Sequence, residues 1–171
     1  MAVWNVRPEV PEDFGAVREI HLSAFAPSQV EADLVEALRV SPAHLPGLCL
    51  TALHDGVVVG HIALSRARVQ GGAPVLALAP MAVAPERQRQ GAGGALIREA
   101  LRRAAETDFG LVVVVGHPAY YPRFGFEPAE PLGLRAPFPI APEAWMAHRL
   151  EAYAGDVRGT VVYPEPFADL T

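Results

Sequence analysis

The residues best suited to chemistry lie in one short stretch, Pro85-Glu86-Arg87-Gln88-Arg89-Gln90-Gly91-Ala92-Gly93-Gly94, between an apolar strand-like run and a helix-like one. Glycines there let backbone N–H groups approach a ligand closely, and a helix N-terminus adds partial positive charge, so the segment can cradle a diphosphate. A Walker loop requires Gly-Lys-Ser/Thr, whereas all 14 basic residues of this chain are arginine. A dinucleotide fingerprint requires a third small residue where Leu96 stands. What remains is Gln-x-x-Gly-x-Gly, satisfied by Gln88, Gly91 and Gly93. Alone, that pattern equally describes a plain glycine turn at a helix start.

The elements around the loop follow from hydrophobic spacing. Residues 3–7 form a strand candidate. Pro11 then opens a helix, with Glu12 and Asp13 in its first turn, where proline and acids suit the N-terminus. Phe14, Val17, Ile20 and Ala24 recur along it at helical spacing. A second helix is expected over residues 29–39, with Val30, Leu34, Val35 and Leu38 on one face. Residues 48–53 and 57–68 flank Asp55-Gly56, a strong hairpin signal. Gly71-Gly72 marks the next turn, and residues 74–83 the third strand of a meander. After the glycine loop a helix runs to about Thr107, then Leu111 to Val115 reads as a strand buried on both faces. Strand, loop, helix and strand make one βαβ unit. The tail is proline-rich over 128–142, followed by two short strands near 145–150 and 159–163.

Composition sets the limits. A chain of 171 residues, 51% hydrophobic with a mean hydropathy of +0.20, is expected to fold as one domain over 1–171 with a substantial core. Its apolar runs break well before the ~20 residues of a membrane span. The N-terminus lacks a signal-peptide pattern, and one cysteine excludes an internal disulfide framework. A cytoplasmic protein is expected. The absence of lysine excludes Schiff-base chemistry. A net charge of −5 argues against a nucleic-acid ligand and is compatible with a cationic substrate. No His/Cys spacing suggests a metal site.

The loop, together with Tyr120-Tyr121-Pro122-Arg123-Phe124-Gly125-Phe126 after the next strand, resembles the GNAT superfamily of N-acetyltransferases. The likeness extends over almost the whole chain, from Arg7-Pro8 and the acidic helix start through the meander. Gly60-His61-Ile62 and Gly159-Thr160-Val161-Val162-Tyr163 resemble a bacterial subgroup of it. The resemblance implies an α/β fold: a mixed, splayed sheet of six to seven strands flanked by about four helices. It implies acetyl-CoA as co-substrate and no metal. The pantetheine arm would pair with the open strand edge at Met81, Ala82 and Val83, where an N–H near Met81 or Ala82 polarises the thioester carbonyl. The diphosphate would sit on Gln88, Arg89, Gln90, Gly91, Ala92, Gly93 and Gly94. Arg87 and Arg89 either add charge there or stay solvated. Tyr121 matches the tyrosine that protonates the departing thiolate in many relatives, with Tyr120 as the alternative and core packing as the simpler role for either.

The departures from the family pattern are also informative. Many relatives carry a glutamate on the strand before the loop as general base; here residues 76–81, Leu-Ala-Leu-Ala-Pro-Met, have no carboxylate. His61, His117 and Glu31 are the alternative bases or substrate contacts. Each has a plainer reading: a hydrogen-bonded structural histidine, an exposed loop histidine and a solvated helix carboxylate. Cys49, in an apolar strand, reads as a small buried residue. The expected function is acetyl transfer to an amine-bearing small molecule or peptide by direct attack in a ternary complex. The rivals are a toxin of the same fold acetylating aminoacyl-tRNA, which calls for a basic face, and a CoA-binding sensor without turnover. Oligomeric state is open, a homodimer included.

Overall fold

In the computed structural model the described residues are 3–170; Met1, Ala2 and Thr171 of the expected domain lie outside them. The chain opens with β1 (Asn5–Pro8) and a single 3-10 turn, Pro11–Asp13, that runs into α1 (Phe14–Ala24). Asp13 fixes that junction: it pairs with Arg7 at 2.6 Å and accepts the Val10 N–H at 2.9 Å. α2 (Val30–Arg39) follows. β2 (Cys49–His54) and β3 (Val57–Val69) make the expected hairpin, with Asp55 and Gly56 at φ +50° and +77°, the left-handed pair a two-residue turn requires. β4 (Pro74–Val83), α3 (Ala92–Ala104) and β5 (Leu111–Val115) form the βαβ unit. α3 stops three residues short of Thr107, whose hydroxyl donates to the Ala104 carbonyl and accepts the Phe109 N–H.

β6 (Glu127–Pro128), β7 (Leu134–Arg135), β8 (Trp145–Arg149) and β9 (Gly159–Val162) complete a mixed sheet of order β1-β2-β3-β4-β5-β8-β6. That seven-stranded path meets the expectation. β9 joins it at the far end of β3, and β7 pairs with β9. Among the described residues three α-helices are present, close to the expected four; Tyr121–Phe124, one of several 3-10 segments, is confined by Pro122 inside it and Gly125 at φ +90° after it. Among the described residues no helix is long and apolar enough to cross a membrane.

The splay between two parallel strands is local and has a visible cause. β4 and β5 pair only at Leu76↔Val112 and Ala77↔Val113. Just beyond, Leu78 pairs with Leu64 of β3 and Met81 with Ile62, so Ala79-Pro80 bulge out of β4. Proline has no N–H to give a ladder. From Leu78 onward, β4 therefore presents an open edge. α3 covers one face of the sheet through Leu96, Ile97 and Ala100, packed on Leu50, Ile62, Leu64 and Val112. α1 lies on the other face, where Ile20 packs on Ala82. α2 seats Leu34 and Leu38 against Phe167.

Candidate active site

A cavity of about 600 Å³ runs between the open edge of β4 and the start of α3. Met81 and Val83 form its floor, Arg87, Gln88, Arg89, Gly91, Gly93 and Gly94 its loop wall, and Tyr120 and Phe124 the wall opposite. The loop bends back on itself through two left-handed residues, Arg89 at φ +65° and Gly91 at φ +100°. Gln88 donates to the Val83 carbonyl at 3.0 Å and so ties the loop to the strand, while Gln90 donates to the Glu86 carbonyl at 3.3 Å. α3 begins at Gly91 with no side-chain cap, which leaves its first-turn N–H groups available to an anion.

Strand alternation orients the edge. The Ala84 N–H donates to Val59 of β3, so the backbone groups of Ala82, two residues earlier, also turn toward β3. Those of Met81 and Val83 turn outward, as the Gln88 bond to the Val83 carbonyl agrees. Of the two residues expected to offer an N–H to a thioester, Met81 faces the cavity and Ala82 does not; the Ala82 side chain packs against Ile20 instead. Gln90 and Ala92 also lie outside the cavity wall, Ala92 being buried under its own helix turn.

Two charged residues that the sequence reading omitted join Arg87 and Arg89 on the wall: Arg98 and Arg123. Their guanidinium carbons lie over the Phe124 and Tyr120 rings, at 5.1 and 5.4 Å from the centroids. None of the four arginines is paired with a carboxylate among the described residues, so their charge is directed into the cavity and the solvent in front of it.

The two tyrosines divide. Their N–H groups share the His117 carbonyl, at 3.0 and 3.3 Å, and the rings meet edge-on at 5.2 Å. The Tyr120 hydroxyl is at the glycine end: a Cβ on Gly93 would stand 2.9 Å from it. The Tyr121 ring is buried at the end of β5, where any side chain on Gly116 would overlap it. Burial pushes the Tyr121 phenol up to about 12, with the neighbouring Tyr120 adding to the rise. The His117 imidazole is exposed and lines neither this cavity nor the next; its backbone carbonyl is what holds the tyrosine turn.

His61 is fully buried on β3 opposite Ala82 and does not line the cavity. Its Nδ1 is 2.9 Å from His21 Nε2, and its Nε2 is 3.1 Å from Glu9 Oε2, off the direction of a good hydrogen bond. Arg39 closes the cluster with two hydrogen bonds of 3.0 Å to the Glu9 carboxylate and lies over the Phe14 ring. Burial raises the Glu9 carboxyl, but the His61 imidazole close beside it and the two hydrogen bonds from Arg39 outweigh this and hold it at about 2. Burial, with the adjacent His61 next, lowers His21 to about 3. Glu31 accepts the Ser28 hydroxyl at 2.8 Å on the first turn of α2 and likewise lines neither cavity.

His21 carries a stability prediction. In the fold it resists protonation down to about 3, whereas in the unfolded chain it takes a proton near 6.5. As pH falls below 6.5 the unfolded state gains protons first, so stability is complete above that value. It is lost toward pH 3 at up to about 1.4 kcal/mol per unit. Glu9, depressed from 4.5, adds to the loss below that pH. Denaturant melts at pH 7 and 5 are expected to show this decline, and His21→Gln, whose amide can donate to or accept from His61, to flatten much of it. An identical slope in the variant would assign the loss elsewhere.

A second cavity, of about 390 Å³, opens where β4 leaves β5, lined by Leu78 and Ala79 on one strand and Val115 on the other. The loop at Phe138, Pro139 and Ile140 and the rings of Tyr163 and Phe167 close it. The proline-rich loop thus lines this space, and α2 supports it through Leu34 and Leu38 packed with Phe167. No group of three or more His, Cys, Asp or Glu side chains that could hold a metal occurs among the described residues.

Comparison with known proteins adds the following. The sequence model of the acetyltransferase (GNAT) family matches residues 14–126. The uncharacterized N-acetyltransferase YjhQ of Escherichia coli K12 is 40% identical over 161 residues, 90% of this chain and 88% of its own. The crystal structure of the GNAT family N-acetyltransferase YhbS of Escherichia coli in complex with CoA superposes with a TM-score of 0.89 at 35% identity, covering 98% of this chain and 93% of that one. A GNAT family acetyltransferase from Brucella melitensis in complex with acetyl-CoA gives a TM-score of 0.76 at 31% identity, covering 98% and 99%.

Proposed function

The chain belongs to the acetyltransferase (GNAT) family, and we propose that it transfers an acetyl group from acetyl-CoA to an amine by direct attack within a ternary complex. The observation that carries this reading is the wall of the larger cavity. An uncapped helix start and four unpaired arginines face the open edge of β4, and a Cβ at Gly93 would intrude on the space between them. Those residues fit a diphosphate followed by an extended amide-bearing arm. When bound, acetyl-CoA supplies an activated acetyl thioester.

The chain's own groups then have distinct tasks. The N–H groups of Gly93 and Gly94 and the four arginines bind the phosphates. The outward backbone groups of Met81 and Val83 pair with the arm as a neighbouring strand would. The Met81 N–H, fixed in the sheet, offers a preorganised donor to developing oxyanion charge. Tyr121, buried after β5 and lining neither cavity, is the residue this reading assigns to give the departing sulfur its proton. Burial pushes the Cys49 thiol up to about 12, so it stays protonated within the core and is no nucleophile at neutral pH.

Titration calorimetry is expected to show one acetyl-CoA site. Arg98→Ala is expected to weaken it by about threefold to tenfold, and the difference to shrink as salt is raised. Intact protein that does not bind acetyl-CoA would overturn the reading.

A further inference from the structure

The notch between β4 and β5 shows more than the place of an acceptor. We propose that the smaller cavity takes the body of the acceptor substrate, and that this acceptor is an apolar aromatic amine, uncharged at neutral pH. The proposal rests on the acetyl-transfer reading above.

Position comes first. Leu78 and Ala79 line the smaller cavity and Met81 and Val83 the larger one, so both open on the same unpaired stretch of β4. A molecule seated beside Leu78 and Val115 is next to the strand edge along which the thioester arm lies in the reading above.

The lining then restricts what sits there. The Phe138 ring stacks on Tyr163 at 6.0 Å and 27°, and Tyr163 meets Phe167 at 5.0 Å. Val115 and Ile140 add two apolar side chains that remain 40% and 37% exposed, among the few large hydrophobic side chains left open on this chain. The volume, about 390 Å³, is in the range of small-molecule sites and suits a body of ring size. Among the described residues no Asp, Glu, His or Arg lines it, and the Tyr163 phenol is the one polar side-chain group. An ammonium placed there would lose its hydration with no counter-charge in return.

The absence of a base on the strand points the same way. Residues 76–81 carry no carboxylate, His61 is fully buried on β3 against His21 of α1, and neither Glu31 nor His117 lines either cavity. A neutral amine needs none of them. Its nitrogen lone pair forms the C–N bond to the acetyl carbon as the C–S bond breaks; the nitrogen loses one proton and the sulfur takes one. Amine and thioester thus become amide and thiol with no net proton released. An ammonium acceptor would have to shed one proton more.

The test compares three acceptors at saturating acetyl-CoA by thiol release: 4-methoxyaniline, 2-phenylethylamine and spermidine. The aromatic amine is expected to turn over with a kcat/KM that is flat from about pH 6.5 to 8.5. 2-Phenylethylamine is expected to gain about tenfold per pH unit over that range, following its neutral fraction, and spermidine to show no turnover above background. Ile140→Asp, at the exposed rim, is expected to cut kcat/KM for 4-methoxyaniline at least tenfold. It should raise the value for 2-phenylethylamine at pH 7 and leave acetyl-CoA affinity and Tm unchanged. Spermidine as the preferred acceptor overturns the proposal. So does an Ile140→Asp enzyme unaltered toward all three, or an enzyme that binds acetyl-CoA and acetylates none of them. Failure to bind acetyl-CoA removes the transferase reading itself, and this proposal with it.

Discussion

Gly93→Val is expected to raise the acetyl-CoA Kd by roughly 10²–10³-fold while leaving the fold intact. The added Cβ would stand 2.9 Å from the Tyr120 hydroxyl and 3.8 Å from both Met81 Cε and Val83 Cγ2, so the valine methyls would occupy the space between α3 and β4. A phosphate kept at arm's length from the helix start loses about two charge-assisted hydrogen bonds, each about 1.5–3 kcal/mol. Two such bonds near the lower end of that range, about 3–4 kcal/mol together, convert to the stated change in affinity. The fold tolerates the change because the nearest atom is the tip of one side chain, and valine is a better helix former than glycine. Calorimetry and a thermal melt of the same preparation check both halves. Wild-type affinity in the variant would mean that the ligand does not approach α3 at Gly93. Gly93→Ala, smaller by two methyls, should fall between the two.

What could be read from the sequence was what local pattern encodes. The Asp55-Gly56 hairpin, the bounds of β4 and β5, and the glycine loop each depend on neighbours a few residues apart, and each stands where expected. Arg98 could have been found, since it is one helical turn beyond Gly94, and a Cβ there would stand 3.1 Å from its Nη1. Arg123 could not, because its direction depends on the one-turn 3-10 segment Tyr121–Phe124, which has no hydrophobic period. His21 had a signal: Val17, Ile20, His21 and Ala24 share one face of α1, which places a histidine in an apolar stripe. Its partners had none. Glu9, Arg39 and His61 come from three further segments of chain, and no spacing rule links them. The aromatic lining of the smaller cavity was equally hidden. Phe138 and Phe167 stand in a proline-rich loop and a 3-10 segment, neither of which has a hydrophobic period.

The division between the tyrosines leads to the other large effect. Tyr120 lines the larger cavity with its hydroxyl at Gly93, whereas Tyr121 is buried against Gly116 just after β5 and lines neither cavity. In the ternary-complex reading the departing sulfur is at the notch, which gives the proton to Tyr121 and a binding contact to Tyr120. Neither hydroxyl has a hydrogen-bond partner among the described residues, so no protein acceptor competes for the proton. Tyr121→Phe is therefore expected to lower kcat by roughly 10²-fold or more, with acetyl-CoA affinity nearly unchanged. Tyr120→Phe is expected to raise the KM for acetyl-CoA by about threefold to tenfold and to leave kcat within about twofold. The pH profile separates this from a packing defect. Burial disfavours the phenolate and keeps Tyr121 protonated up to about 12, so wild-type kcat should show no alkaline decline below about pH 10. A Tyr121→Phe enzyme with wild-type kcat, beside a Tyr120→Phe enzyme that has lost it, would move the proton donor one residue back along the chain.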